Sequence, residues 1–300
     1  MFALRDAADP ALDDQWTCGR AWYHTSTDPD WPNGTRTMPT ATDGAVTRML
    51  SPGGLRRARA RYETQALHLG TYEAAIVSML RRMRDQADGR SQFYLYRVKL
   101  RHALAIEAGW RDENHAAAAQ ITQSELGDLD GIRYLNVREA PGSISLAVRR
   151  RAVAATQRVA LPLAVPGPSC DDVITEVAQI RAQIGKLEAL RPTTSNPLDQ
   201  IRADAARKGG AISARSPSPE QYALLDKIDK LLEETYLLGI SRPVRCAFTR
   251  ALQARQRAGD ADGADYIAHF AATAAALTNP DAVLRALASQ PIQELEPWQP

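Results

Sequence analysis

The chain has 300 residues, of which 44% are hydrophobic, and a formal net charge of +2. That length and composition suit about two domains with sizeable cores and exclude wholesale disorder. The near-neutral charge makes no global case for binding nucleic acid or a membrane surface. Cys18, Cys170 and Cys246 are too scattered for a disulfide framework or a metal site, and no apolar run approaches the roughly 18 residues of a membrane span. Met1 to Asp6 lacks the apolar stretch of a signal peptide, so a reducing cytoplasm is the expected location.

Residues 1–20 are polar and read as an irregular lead-in. The aromatic run Ala21 to Ser26 predicts a strand. Thr27 to Gly54 is dense in Thr, Asp, Pro and Gly and reads as a long loop with a helical turn at Ala45 to Leu50. Leu55 to Glu63 is arginine-rich and reads as a short helix with a solvated face. Ala66 to Gly70 predicts a second strand. A helix follows, capped by Thr71 and ending near Asp88-Gly89. Gln92 to Leu100 alternates cleanly and predicts a strand, which His102 to Ile106 extends or pairs with. Arg111 to Ile121 is polar, then Ala-rich, and predicts a helix. Ile132 to Asn136 and Ser143 to Val148 predict two strands, and Arg158 to Pro162 a last one.

Leu163 to Pro168 is a linker by composition. Beyond it the pattern becomes helical. Val173, Ile174, Val177, Ile180, Ile184 and Leu187 repeat at helical spacing over Asp171 to Leu190, with Asp171 or Ser169 as cap. Helices are predicted at Glu220 to Leu238, closed by Gly239, at Val244 to Ala258, at Ala264 to Leu277 and at Asp281 to Ser289. Lys208 to Pro217 reads as a flexible loop. The division is therefore a strand-rich α+β domain over 1–165 and an all-α domain over 166–300.

Three segments carry the chemistry: Tyr23-His24-Thr25 on the first strand, His68-Leu69-Gly70-Thr71-Tyr72-Glu73-Ala74-Ala75 at a strand-to-helix junction, and Tyr134-Leu135-Asn136-Val137-Arg138-Glu139 at a late strand end. Ala140-Pro141-Gly142 makes the turn after Glu139, because Pro fixes one dihedral and Gly permits positive φ. Each residue has an ordinary reading too. Glu139 suits an exposed turn, His24 and His68 suit satisfied strand histidines, and Tyr72 suits the core at a helix start. Tyr134 reads as structural, and Asn136 as a brace for the turn. Asp112, Glu113 and His115 have no metal-ligand spacing and read as a solvated helix start. No metal site is expected.

In order and content these segments resemble the ADP-ribosyltransferase fold, in the histidine–tyrosine–glutamate branch that includes diphtheria toxin and the poly(ADP-ribose) polymerases. The resemblance covers about residues 20–162. It implies a split mixed β-sheet domain that uses NAD as co-substrate. It implies that Glu139 is catalytic, that His24 holds a ribose, that Thr25 binds the carboxamide through its backbone, and that Tyr72 stacks on the nicotinamide. His68, Gly70 and Thr71 complete the implied NAD site. Thr25 stands where the family usually has Gly, and His68 at or beside the place of the family's first tyrosine, where a histidine stacks poorly. The residue types suit the reaction. Nicotinamide release passes through an oxocarbenium-like ribose, as glycoside cleavage does, and a carboxylate beside it stabilises the developing charge.

The function implied is ADP-ribosyl transfer from NAD to an unknown protein, nucleic-acid or small-molecule acceptor, or NAD hydrolysis. The helical half lies outside the resemblance and suits a partner-binding or assembly module, an appendage or a lid. The rival reading is a non-catalytic structural or interaction protein, such as a phage or assembly component that keeps the fold, in which case the protein is virion-associated or delivered to a host.

Overall fold

The computed structural model describes residues 9–33, 52–85, 91–113, 118, 120–163, 170–190, 218–257 and 263–296. Its strands are β1 (Trp22–Ser26), β2 (Leu67–Leu69), β3 (Phe93–Leu100), β4 (Arg111–Asp112), β5 (Gly131–Leu135), β6 (Ile144–Val148), β7 (Val153–Leu161) and β8 (Gln293–Glu294). Its helices are α1 (Asp14–Gly19), α2 (Pro52–Thr64), α3 (Tyr72–Asp85), α4 (Asp171–Ala189), α5 (Pro219–Tyr236), α6 (Arg242–Arg257), α7 (Gly263–Thr278) and α8 (Pro280–Ala288). The chain is α+β. The strands form two four-stranded sheets, ordered β1-β3-β7-β8 and β2-β6-β5-β4. Strand pairs are antiparallel except β4 with β5.

The period of two explains how the sheets meet. Alternate residues of β1, β3 and β7 (Trp22, Tyr96, Val98, Leu100, Val153) share one buried cluster with Leu67, Leu69, Leu135, Ile144, Leu146 and Val148 of the second sheet. The other face of the second sheet carries a smaller cluster with Ala66, Ile132, Tyr134 and Ala147, packed on Ala118, Ile121 and Leu126.

Two compact units result: Met1–Leu161 with Asp281–Pro300, and Pro162–Pro280. The sequence division at 165 lies beside the Leu161/Pro162 boundary. The described residues from Asp281 on, grouped with the helices on composition, pack with the sheets instead. Gln157 donates to the carbonyls of Ala288 (3.1 Å) and Gln290 (2.7 Å), Arg101 donates to that of Leu295 (2.7 Å), and β8 adds to the edge of β7.

In the second unit α4, α5 and α7 pack on one another, and α6 packs on α5 and α7. Phe270 sits among Phe248 (ring centroids 5.0 Å apart), Tyr236 and Tyr266 (6.2 Å each). Ser218 caps α5 in a reciprocal box with Gln221, and Gly239 follows α5 at φ +84°. Among the described residues no helix is long and apolar enough to cross a membrane.

Several local expectations change. No helix occurs among the described residues of 111–121. Arg111 and Asp112 pair instead with Tyr134 and Leu135, and Arg111 clamps Glu107 through two 2.7 Å bonds. Tertiary pairing has overridden the helical propensity of that run. The solvated helix start read at Asp112 and Glu113 is therefore absent, and His115 lies outside the described residues. His102 to Ile106 forms no strand, only a bridge from Ile106 to Gly131. The lead-in contains a 3-10 turn at Pro10–Leu12 and α1. Helix α4 has Cys170 at its N-cap with no side-chain cap bond, and Ile174 is exposed. The turn at 45–50, the loop at 208–217 and Ser169 lie outside the described residues.

Candidate functional site

Among the described residues one backbone bridge joins the two sheets. Tyr23 and Gly70 exchange backbone hydrogen bonds of 2.9 and 3.0 Å, linking the edge of β1 to the end of β2. Beside this seam, His24 Nδ1 lies 2.8 Å from the His68 carbonyl oxygen. A carbonyl only accepts, so Nδ1 carries the proton. The His24 ring stacks on Trp31 at 4.4 Å, which fixes its plane.

Helix α3 leaves the seam at once. Thr71 Oγ1 accepts the Ala74 N–H at 3.2 Å and so caps it. A Cβ on Gly70 would stand 2.8 Å from the Ala74 Cβ, so the close approach of strand to helix requires glycine there. Tyr72 is buried and meets Tyr23 edge to face at 5.8 Å. Burial pushes its phenol pKa up. Thr25 is buried against the same helix: its hydroxyl donates to the Ala75 carbonyl (3.0 Å), and its own carbonyl accepts from Arg82 (3.3 Å).

On the second sheet a polar row lies on the face opposite the shared core. His68 Nδ1 is 3.2 Å from the Tyr134 hydroxyl. Tyr134 stands opposite Ser145 in register. Asn136 Nδ2 donates to Ser145 Oγ at 3.2 Å. The turn beyond is held by side chains. Asn136 Oδ1 accepts the N–H groups of Arg138 (3.1 Å), Glu139 (2.9 Å) and Ala140 (3.0 Å). Glu113 Oε2 accepts that of Val137 at 2.6 Å. Four consecutive N–H groups thus end on two side-chain oxygens. Gly142, at φ +86°, closes the turn by donating to the Asn136 carbonyl.

Glu139 hangs from this turn. Its side chain is only 8% exposed, and Oε1 lies 2.8 Å from Nη2 of Arg81 on α3, whose side chain is 42% exposed. The turn's carboxylate therefore reaches the helix that begins at Thr71. Two neighbours register its charge. Burial raises the Glu113 pKa above the ordinary 4.5; the Val137 bond opposes that rise and the charge of Glu139 adds to it. Burial, and then the charges of Glu139 and Glu113, push the Tyr134 phenol up.

His24, Thr25, His68, Gly70, Thr71 and Tyr72 therefore gather at one seam, and Glu139 is joined to the helix leaving it. Arg81 was not singled out from sequence, and Glu113 was not given this role. Arg81 sits in an arginine-containing helix end with no local signal, and Glu113 was read as solvated because its partner is a backbone group 24 residues away. Chemically, the arrangement is a carboxylate on a braced turn, shielded from water, with a cation as its partner. No protein-family model, curated protein or solved structure matches this chain.

Proposed function

We propose that the first unit has an ADP-ribosyltransferase-like fold, binds NAD, cleaves its nicotinamide–ribose bond, and passes the ADP-ribose to an acceptor or to water. The convergence at the seam carries this reading. The residues whose order resembles the family lie together, and Glu139 pairs with Arg81, about two and a half turns along the helix that leaves their seam. In the reaction the bond from C1′ to the ring nitrogen breaks, its electron pair goes to that nitrogen, and neutral nicotinamide leaves. The ribose takes up positive charge, which the Glu139 carboxylate offsets. An acceptor oxygen or nitrogen then bonds C1′ and gives up its proton. Asn136 and Glu113 contribute by fixing the turn, so the carboxylate needs no reorganisation as charge develops.

The test is nicotinamide release from NAD by the wild type and by Glu139→Gln side by side. The expected result is release by the wild type and a loss of about 10²–10³-fold in the variant. Background release from both, with no NAD-induced rise in thermal midpoint, overturns the reading.

The Glu139–Arg81 pair itself favours a second reading. A carboxylate 8% exposed and held by a guanidinium is also what a structural brace looks like. On that reading the chain is a non-catalytic interaction protein, and Glu139→Gln lowers the thermal midpoint with no turnover to lose.

A further inference from the structure

The ion pair at Glu139 raises a problem for any ligand. A carboxylate so little exposed is costly to leave uncompensated, so a positive charge is required beside it. In this structure Arg81 supplies that charge at 2.8 Å. The same position is wanted by the cationic end of NAD: the pyridinium before cleavage, and the ribosyl cation as the bond breaks. Two cations do not share one carboxylate oxygen in a shielded site without mutual repulsion. The asymmetry of exposure says which partner yields. Glu139 is fixed on a turn whose N–H groups are all bound, whereas Arg81 is a long side chain on a helix surface, 42% exposed, with water to move into.

We propose that the Arg81 guanidinium is a built-in competitor for the cationic nicotinamide–ribosyl end of the substrate, occupying Glu139 until that end displaces it. This inference rests on the NAD reading above. It makes the substrate-free site self-closed: apparent affinity is reduced by the fraction of molecules in which Arg81 is seated. It also gives the carboxylate a selectivity for cationic ligands, because a neutral ligand that evicts Arg81 leaves a shielded charge unpaired.

The test compares steady-state nicotinamide release by the full-length wild type, Arg81→Ala and Arg81→Lys, with free guanidinium at non-denaturing concentration as the probe. Arg81→Ala is expected to lower KM for NAD by roughly two- to fivefold, the range that a half-exposed ion pair supplies. Guanidinium should raise that KM again, competitively with NAD, by refilling the vacated position. Arg81→Lys should return KM toward the wild-type value. A merely structural Arg81 does not produce competitive inhibition by guanidinium. If Arg81→Ala leaves KM unchanged or raises it, or if guanidinium inhibits wild type and variant alike, the competitor role is overturned while the NAD reading stands. If the wild type releases no nicotinamide, the NAD reading falls and this inference falls with it.

Discussion

The two faces of the second sheet are both buried, to opposite ends. The inner face is a row of aliphatic side chains, Leu67, Leu69, Leu135, Ile144, Leu146 and Val148, closed against the first sheet. The outer face spends its central positions on His68, Tyr134, Ser145 and, one step beyond the strand, Asn136. Burying polar groups stabilises nothing unless they are satisfied: His68 bonds Tyr134, and Ser145 bonds Asn136, whose amide oxygen holds the turn that carries Glu139. Where a sheet sets polar side chains on a face that a second apolar cluster already covers, precision at one turn has been favoured over packing. The contrast teaches that the outer face holds a shape and the inner face holds the fold.

One residue complicates the contrast and offers the largest test of it. Arg133 is wholly buried on the inner face, yet it is charged. Its guanidinium donates to the carbonyls of Ala11 and Glu107 (3.1 Å each) and to Thr17 Oγ1 (3.2 Å), and it pairs with Asp14. Asp14 is 58% exposed, so taking the guanidinium away strands no buried charge. The orphaned carbonyls are what a substitution would cost. Arg133→Met, similar in girth but with no donor, should lose roughly 2–4 kcal/mol of stability, read as a fall in the urea midpoint. A loss below about 0.5 kcal/mol, the scale of an ordinary surface change, would mean that the inner face tolerates a cut clamp and that its apolar row alone sets its stability.

Asn136 comes next, on the outer side. Asn136→Ala frees three N–H groups of the turn and should cost about 1–3 kcal/mol. It should also lower nicotinamide release nearly as far as Glu139→Gln, because the carboxylate loses its fixed mount. Asn136→Asp keeps an oxygen acceptor for the turn but loses the donor to Ser145, so it should retain more of both. Equal activity in the Ala variant and the wild type would separate the turn's order from Glu139's role and break the claim that this face holds a shape.

Much of this was legible in the sequence, and the remainder has a physical cause. The period of two placed β3, β5 and β6 within a residue, and local chemistry placed the Thr71 cap, the Gly239 stop and the Asn136 brace, since all depend on near neighbours in the chain. The two-residue strands β4 and β8 show no period at all. The Tyr23–Gly70 bridge joins residues 47 positions apart through backbone atoms, which side-chain types do not report. The Arg81–Glu139 pair and the Glu113–Val137 bond depend on where a helix and an edge strand come to rest. Sequence named the carboxylate on the turn, and only the fold supplied the cation that meets it.

The smallest effect sharpens the electrostatic side of the comparison. Glu113 is a carboxyl whose folded-state pKa is raised above 4.5, by burial first and by the Glu139 charge as a further cause. A raised acid means that the folded protein holds a proton which the unfolded chain releases. The group's contribution is then most favourable below 4.5 and is lost as pH rises through the folded value. Glu113→Gln does not titrate, and its amide oxygen still accepts the Val137 N–H. Its thermal midpoint relative to wild type should therefore climb as pH is raised from below 4.5 toward neutral. In a Glu139→Gln background the climb should shrink, because one of the two charges that oppose each other is gone. A difference that is flat with pH, or that climbs equally in both backgrounds, would mean the two carboxylates do not sense each other and that Glu113 merely ties the edge strand to the turn.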